Sequence, residues 1–341
     1  MKKLFIIALL LAAFCPAAAQ AESKKLYLYT WDTYVAPKLF KKFEKETGIK
    51  VVTDIYSSND TLMAKLKAGG AYDVVAPSGN YVPFLIAEKL LQPMPDDLKE
   101  FSKSMAENVQ KPDYDPDYTY VLPLFYGTTG LAVNTKLTSE NITSWQQFFE
   151  RPAGEKPSLG VLDDIGTAMD IASLAVRKPL CDKSPETFKA LQALMLKQKP
   201  FVKVYGSTGY SERLAANEIP LQMAWNGDVY KVRQQNSHIK YVYPKEGVEL
   251  WVDNFAIPAN AKNIDAAKKF IAFMMKPENA TEYSVAAGMM SSVKAANDLL
   301  PEDMKKAPEF NIPEGTITGT SQACPTDAVD AYSKIWSELT R

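Results

Sequence analysis

Two pairs, each of an aromatic residue and an acid, lie close together in the C-terminal half of the chain. Trp225 is followed three residues later by Asp228, and Trp251 is followed two residues later by Asp253. Alternate residues of a strand point to the same face, so Trp251 and Asp253 should face one space. An indole face attracts a cation by roughly 0.5–2 kcal/mol, and a carboxylate adds a charge-assisted hydrogen bond. These pairs predict a site for a cationic nitrogen on an apolar stem.

The alternative interpretation is a core indole beside a solvated acid, which is the commoner arrangement for an isolated pair. The repetition of the pattern argues against it, because Trp31 and Asp32 supply a third pair near the N-terminus. We therefore interpret the three pairs as parts of one ligand site.

The sequence lacks the residues that several kinds of catalytic and metal-binding sites require. His238 is the only histidine, which excludes a Ser-His-Asp hydrolase if it lies in a polar loop, as its neighbours indicate. There is no zinc-ligand spacing, phosphate-binding loop or dinucleotide fingerprint. The acids Asp113, Asp115 and Asp117 do not fit the calcium-loop pattern, and we expect them to form a solvated turn. The sequence thus predicts no cofactor, no metal and no catalysis.

Charge and the N-terminus indicate where the protein works. The 40 acids and 39 bases nearly balance, so no global field points to nucleic acid or to an anionic membrane. Lys2 and Lys3 precede an apolar run at 4–14, and small residues follow at 19–21, which is typical of a cleavable signal peptide over residues 1–21. Phe14 before Cys15 argues against lipidation. We expect secretion to the periplasm.

The first part of the mature chain alternates between strand and helix patterns. Strands are predicted at 25–29, 49–55 and 73–78, with one helix that contains Leu39, Phe40 and Phe43 and another at 61–67. Gly48 should end the first helix in a left-handed conformation. This alternation predicts a parallel sheet with helices on both faces, in which ligands bind at the carboxyl ends of the strands.

The remaining chain repeats the alternation after a break. We expect a surface loop at 95–120, strands at 122–125 and 131–134 with a turn between them at 127–130, and a change of domain near 134–144. Further strands are predicted at 159–162, 218–225 and 240–243, with helices at 167–176 and 185–198, a helix capped by Asn263 and a last helix at 327–339. About 320 mature residues exceed one comfortable core, which favours two domains.

Motifs along the whole mature chain resemble those of a known family. They are Y-T-W-D-T-Y, F-E-K-E-T-G-I-K-V, Y-D-V-V-A-P-S, S-W at 144–145, W-N-G-D, Y-P-K-E-G and D-N-F-A-I-P-A-N-A-K-N, in that order. The chain is similar to the bacterial periplasmic spermidine/putrescine-binding proteins of ABC importers, which are extracellular solute-binding proteins. The resemblance implies an α/β, two-lobe periplasmic-binding-protein fold, type II-like. Each lobe is then a mainly parallel sheet flanked by helices, and the ligand lies in the cleft between the lobes.

The resemblance also implies a division of the chain and a set of partners. Lobe one would comprise residues 22–133 plus 256–310, and lobe two residues 134–255 plus 311–341. The ligand would be a small polyamine of the putrescine/spermidine class, captured by hinge closure and delivered to an inner-membrane ABC permease. We expect a monomer that does not bind nucleic acid. Cys181 and Cys324, the cysteines of the mature chain, could form a disulfide in an oxidising compartment.

The family's ligand-binding positions can be carried over to this sequence. Aromatic residues that pack on the methylene chain or stack on it correspond to Trp31, Tyr34, Trp225 and Trp251. Acids that hold amino groups correspond to Asp164, Asp228 and Asp253. Small or polar wall residues correspond to Ser78 and, with a looser alignment, Gln322.

The chain departs from the family pattern at four positions. Thr33 and Thr167 stand where acids are usual, although Asp32 beside Thr33 could compensate, and Asn80 and Met289 stand where spermidine binders have aromatic residues. A hydroxyl offers no net charge to an ammonium group. We therefore expect a shift away from ordinary spermidine recognition, towards a ligand of different length or with a masked terminal amine.

Three alternatives to a transport protein remain open at this point. A sensor of the same fold would bind the same ligand and dock on a membrane signalling receptor. The same architecture could hold another solute, such as a metal or an anion, but an anion site would favour Arg and helix N-termini over acids and indoles. A secreted enzyme would turn a polyamine over instead of returning it unchanged.

Overall fold

The structure is a computed structural model that describes residues 24–152, 154 and 156–341. The predicted signal peptide, residues 1–21, lies outside the described residues. None of the helices in the described part combines the length and the apolar character that a membrane span requires.

Within the described residues the strands form one 11-stranded sheet. They are β1 Lys24–Trp31, β2 Ile49–Tyr56, β3 Val74–Val75, β4 Val121–Asn134, β5 Leu159–Val161, β6 Val202–Tyr205, β7 Leu221–Trp225, β8 Ile239–Val242, β9 Val248–Ala256, β10 Met290–Ser291 and β11 Thr318–Thr320. The main order is β2-β1-β3-β9-β4-β7-β5-β6, while β8 and β10 pair with β4 and β11 pairs with β9. The sheet is parallel at its two ends, β2-β1-β3 and β7-β5-β6, as the alternation of strands and helices predicts.

Helices cover the sheet. They are α1 Pro37–Thr47, α2 Asn59–Lys67, α3 Val82–Ala87, α4 Asp96–Lys99, α5 Trp145–Phe149, α6 Ile165–Ala175, α7 Pro185–Gln198, α8 Tyr210–Ala215, α9 Asn226–Gln235, α10 Ile264–Met274, α11 Pro277–Ala287, α12 Lys294–Asp298, α13 Glu302–Lys305 and α14 Thr326–Leu339. Helix α1 buries the apolar stripe of Leu39, Phe40 and Phe43, and Gly48 ends it with φ 72°. The sequence-based prediction for this helix and its cap is confirmed.

Two separate hydrophobic clusters give the molecule its two lobes. One cluster gathers side chains such as Phe43 and Phe255, and the other gathers side chains such as Trp145 and Met223. The long strand β4 contributes to both, with Leu122 in the first cluster and Leu131 in the second. Strands β4 and β9 pair with each other in antiparallel register and so connect the two cores.

The prediction of a turn at 127–130 is wrong, because β4 runs through it without interruption. The two glycines that suggested a turn have another use. A Cβ on Gly127 would lie 2.4 Å from the ring of Trp251, and a Cβ on Gly130 would lie 2.6 Å from the ring of Tyr241. Glycine in this strand allows large side chains to cross close to the backbone.

The segment at 95–120 is not the simple surface loop that its composition suggested. It contains α4 and short 3-10 turns, and it buries Leu98 and Val109 in the first core. Asp115 was expected in a solvated turn but is 6% exposed, and its carboxylate accepts the backbone N–H groups of Thr119, Tyr120 and Val121. The acid stabilises a tight bend immediately before β4.

A disulfide joins Cys181 to Cys324, with 5.0 Å between their Cα atoms. It attaches the segment before α14 to the loop that follows α6. Helix α14 then packs Tyr332 and Ile335 into the second cluster.

Candidate functional site

A narrow chamber lies between the two hydrophobic clusters, with a cavity volume of about 40 Å³. Its walls come from the carboxyl ends of β1 and β7, from one face of β9, and from the first turns of α2 and α6. The chamber is lined by Trp31, Thr33, Tyr34, Asn59, Ser78, Asn80, Asp164, Thr167, Trp225, Glu249, Trp251, Asp253, Met289 and Ser321. An unbranched chain fits such a narrow space better than a bulky solute does.

One face of β9 supplies the base of the chamber. Glu249, Trp251 and Asp253 alternate along the strand, so all three point to the same side, as the period of two requires. Trp251 is 8% exposed, and its indole Nε1 has no hydrogen-bond partner in the part of the chain that the structure describes. Gly127 on the neighbouring strand makes room for its ring.

Asp253 is buried beneath the chamber and held by two hydroxyls. The Oδ1 atom accepts a hydrogen bond from Ser78 Oγ at 2.5 Å, and Oδ2 accepts one from the hydroxyl of Tyr34. Burial raises the pKa of Asp253 to about 7, although both hydroxyl bonds act to lower it. A cation bound beside this carboxyl would favour its charged form, so ligand binding should remove its proton.

Asp164 lies on the opposite wall, at the start of α6. Its Oδ1 accepts the backbone N–H of Thr167 at 3.0 Å, which makes it the N-cap of the helix. Its Oδ2 accepts the backbone N–H of Asn59 from the other lobe at 3.3 Å. The side chain is 2% exposed, and burial raises its pKa.

Glu249 places a further acid in the chamber. It is 1% exposed, and its carboxylate accepts hydrogen bonds from Thr129 Oγ1 at 2.6 Å and from Thr167 Oγ1 at 3.3 Å. Asp170 lies behind it on α6 and receives Ser321 Oγ at 3.4 Å. Burial raises the pKa of both carboxyls, and repulsion from Glu249 raises that of Asp170 further. Because the two carboxyls repel each other, they do not both ionise readily, and their titrations are coupled.

Two tryptophans close the outer side of the chamber. Trp31 at the end of β1 and Trp225 at the end of β7 meet edge to face, with ring centroids 5.7 Å apart. The Trp31 indole donates to the carbonyl of Ala76 at 3.0 Å, which fixes the orientation of its ring. Each lobe thus contributes one indole to the same wall.

The buried acids have no cationic partner. In the described part of the chain no Lys, Arg or His nitrogen lies within 4.0 Å of a carboxylate oxygen of Asp164, Asp170, Glu249 or Asp253. Carboxylates in a dry site are costly to ionise without a counter-charge. The chamber is therefore built for a ligand that brings positive charge.

Not every predicted site residue lines the chamber. Asp32 and Asp228 line an adjacent outer cavity of about 260 Å³ on the far side of Trp31 and Trp225. Asp228 is 2% exposed and accepts the hydroxyl of Tyr210 at 2.5 Å, and burial raises its pKa to about 6. Asp32 is exposed. These two acids can act on a ligand at the entrance rather than in the chamber.

Gln322 also lies outside the chamber. Its side chain is exposed and lines two other cavities, whereas the preceding residue, Ser321, is 7% exposed and lines the chamber. The predicted position was thus one residue away from the wall. The segment holds no regular periodicity from which the orientation of a side chain could be inferred.

The structure brings nine of the twelve predicted ligand residues together: Trp31, Thr33, Tyr34, Ser78, Asp164, Thr167, Trp225, Trp251 and Asp253. Sequence analysis missed three wall residues, Asn59, Glu249 and Ser321, and it noted Asn80 and Met289 only as departures from a pattern. Glu249 carried a usable signal, because it stands two residues before Trp251 in a predicted site strand. Asn59 carried none, because its contact with Ser78 depends on how the start of α2 meets the segment after β3.

Comparison with known proteins adds independent support. The chain is 33% identical over 328 residues to "Spermidine/putrescine-binding periplasmic protein 1" of Haemophilus influenzae, covering 94% of this chain and 90% of the relative. It is 35% identical over 301 residues to the spermidine/putrescine-binding periplasmic protein of Escherichia coli, covering 86% and 85%. A solved Listeria monocytogenes structure described as a spermidine/putrescine ABC transporter has 28% identity and a TM-score of 0.86, covering 93% of this chain and 99% of its own.

The match to a family model extends over residues 38–312, which is most of the described chain and includes all but one of the chamber residues from Asn59 onwards. The relatives named above are described as spermidine/putrescine-binding periplasmic proteins or as a spermidine/putrescine ABC transporter, which agrees with a site made of acids and indoles. The chain belongs to the bacterial extracellular solute-binding protein family.

Proposed function

We propose that this protein is a periplasmic solute-binding protein that captures a polyamine of the putrescine/spermidine class and delivers it to an inner-membrane ABC transporter. The observation that carries the proposal is the chamber with three lining acids, Asp164, Glu249 and Asp253, and with no cationic side chain among the described residues of its walls. A polyamine supplies ammonium groups for these acids and methylenes for the indoles.

The chamber residues would divide the work of binding by their chemistry. Trp31, Trp225 and Trp251 pack on the methylene chain and attract its cationic nitrogens. Asp253 and Asp164 take ammonium groups from opposite walls, while Ser78 and Tyr34 keep the Asp253 carboxylate in place. Because the walls belong to two lobes, ligand capture and hinge closure would be one process.

The wider assignment follows from the same proposal. Lobe one comprises residues 22–133 plus 256–310 and lobe two residues 134–255 plus 311–341, with β4 and β9 as the hinge strands. The protein works as a monomer in the periplasm after removal of residues 1–21, binds no nucleic acid and leaves its ligand chemically unchanged. Its partner is the ABC permease.

Calorimetry on refolded, ligand-free protein tests the proposal directly. Putrescine, cadaverine, spermidine, norspermidine and agmatine form the panel, and refolding removes any ligand that co-purifies. We expect saturable binding of at least one amine and its recovery unchanged. If no member of the panel binds, the proposal fails.

A polyamine sensor of the same fold is the second candidate, and it differs in the partner rather than in the ligand. The names of the relatives speak of binding and transport, which favours the transport function. The neighbouring genes decide between the two: a permease and an ATPase indicate import, and a signalling receptor indicates sensing.

A further inference from the structure

A second cavity, of about 80 Å³, lies behind the chamber and is called here the side cavity. Its polar wall residues include Asp60, Asn80, Asp170 and Tyr332, and its apolar wall includes Met63, Phe84, Ile165 and Val329. The volume accommodates several water molecules or a short alkyl arm. Like the chamber, it lies between elements of the two lobes, here α2 on one side and α6 with α14 on the other.

Four side-chain oxygens of the side cavity have no hydrogen-bond partner among the described residues. Three can accept, namely Asp60 Oδ2, Asn80 Oδ1 and Asp170 Oδ1, and the fourth is the Tyr332 hydroxyl, which can also donate. Asn80 is 8% exposed and Asp170 is 2% exposed, so bulk water does not satisfy them. Unsatisfied buried acceptors cost about 1–3 kcal/mol each, and more when charged. Acceptors outnumber the one unpartnered donor on this wall, so the cavity favours an occupant that donates hydrogen bonds.

The charged residues of the side cavity indicate which kind of hydrogen-bond donor it would bind. No lysine, arginine or histidine is among the described residues that line it. The other oxygen of Asp60, Oδ1, accepts a hydrogen bond from the hydroxyl of Tyr81 at 2.9 Å. Burial and the nearby Asp164 raise the pKa of Asp60 to about 6. Two carboxyls and an amide oxygen above an apolar wall match an alkylammonium group, which has donors and no acceptor.

The side cavity and the chamber share a partition. Asn80 lines both spaces, and Ser321 on the chamber wall donates to Asp170 on the side-cavity wall at 3.4 Å. A ligand that bends past Asn80 would pass from the acids of the chamber to Asp60 and Asp170. Opening of the lobes would expose both spaces at once, because both are lined from the two sides.

We propose that the side cavity binds an alkylammonium group, namely the far end of a polyamine longer than spermidine whose other nitrogens occupy the chamber. This inference rests on the proposed function of the chamber. It assigns to Asp60, Asn80 and Asp170 a role in the preference for ligand length. A tetraamine gains these contacts, whereas spermidine already fills the chamber and gains none.

Calorimetry with spermine and spermidine on wild-type protein and two variants tests the proposal. Asp60→Asn removes one of the two carboxyls of the side cavity, and Val329→Phe fills the space without changing any charge. We expect either change to weaken spermine binding by about 10-fold or more, on the scale of a lost bond to a charged group, and spermidine binding by less than about 2-fold. Asp117→Asn, an exposed acid that lines neither space, is the matched charge control.

The outcomes separate this inference from the proposed function. Wild-type protein that binds spermidine but not spermine overturns the inference and leaves the polyamine function standing. Equal losses for both amines, or no loss, in Asp60→Asn and Val329→Phe also overturn it, and the cavity is then filled by water only. Protein that binds neither these amines nor any of the calorimetry panel refutes both proposals.

Discussion

At the scale of single residues, Asp253 is the acid on which the chamber depends most. It is buried, accepts two hydroxyl hydrogen bonds and has no cationic partner in the described structure. Asp253→Asn keeps the shape of the side chain but removes the negative charge that would pair with an ammonium group of the ligand. We expect polyamine affinity to fall by about 2–4 kcal/mol.

Calorimetry measures this loss, with Asp117→Asn as the control for the removal of one negative charge, because Asp117 is exposed and does not line the chamber. Unchanged affinity in Asp253→Asn would show that the carboxylate does not contact the ligand. A melting curve of the variant should stay close to that of the parent, because the amide oxygen still accepts one hydroxyl.

The raised pKa of Asp253 also predicts opposite effects of pH on stability and on binding. Its pKa is about 7 in the folded, ligand-free protein against 3.8 ordinarily, so folding favours the protonated form. Its contribution to stability is fully present below pH about 4 and is lost as pH rises through 7, by at most about 4 kcal/mol. A bound cation favours the carboxylate instead. Affinity should therefore rise by about 10-fold between pH 6 and pH 8.

Two measurements separate these effects: thermal unfolding of ligand-free protein, and titration with spermidine, each over pH 5–8. Asp253→Asn should show a weaker pH dependence in both. Glu249 remains in the variant and keeps part of the effect, because burial raises its pKa as well. An affinity that falls from pH 6 to pH 8 contradicts the assignment.

The sequence predicted the kind of ligand the site would bind better than it predicted the complete set of lining residues. Period two in a strand was enough to place Trp251 and Asp253 in one space, and it would have added Glu249. Ser321 could not be predicted, because it lies in a loop where no period fixes the direction of a side chain. Asn59 could not be predicted, because it is the first residue of α2 and its partners are distant in sequence. Asp115 was misassigned because a carboxylate that binds backbone N–H groups has the same sequence signature as a solvated one.

At the scale of elements, the contact between β4 and β9 controls the position of Trp251. Gly127→Ala places a Cβ within 2.4 Å of the Trp251 ring and of the Asn226 side chain. The strands must shift or the indole must rotate, which we expect to cost about 1–3 kcal/mol of stability and to weaken ligand binding.

Gly206→Ala is the control for this variant, since a Cβ there has no neighbour closer than 3.8 Å. Chemical denaturation and calorimetry give the two readouts. If Gly127→Ala is as stable and binds as well as the parent, then the close approach of Trp251 to β4 does not constrain the chamber.

The disulfide affects another element, helix α14, without touching the chamber. It spans 143 residues, for which the loop-closure model gives about 5 kcal/mol, while measured values are typically 2–5 kcal/mol. We expect the double variant Cys181→Ala/Cys324→Ala to unfold at a lower temperature and to bind spermidine with unchanged affinity. Loss of binding in folded variant protein would show that α14 helps to shape the cleft.

The parallel outer parts of the sheet were predictable because each βα unit repeats local signals of strand, cap and helix. The long strand β4 was not, because its two glycines imitate a turn when only neighbours in sequence are considered. Gly127 and Gly130 are needed because Trp251 and Tyr241, more than 100 residues away in sequence, pack against them. Non-local packing of this kind leaves no local pattern.

At the scale of the whole molecule, closure depends on contacts that cross between the two clusters. Asn59 lies on α2 in one lobe, and its backbone and side-chain N–H groups both reach Asp164 Oδ2 in the other, at 3.3 and 3.4 Å. Its side chain also donates to Ser78 Oγ, which in turn binds Asp253. This amide therefore connects the acids of the two walls, and we expect it to stabilise the closed form.

We expect Asn59→Ala to shift the equilibrium towards the open form and to weaken spermidine binding, because apparent affinity falls with the population of the competent state. Most of the loss should appear as faster dissociation, because changes within one binding site act mainly on the dissociation rate. Stopped-flow tryptophan fluorescence measures the rate, and small-angle scattering measures the compaction on binding. Asn260→Ala is the control, because it removes a hydrogen bond from an exposed side-chain amide to the carbonyl of Gly70 within one lobe. Equal dissociation rates in Asn59→Ala and in this control would mean that Asn59 does not hold the lobes together.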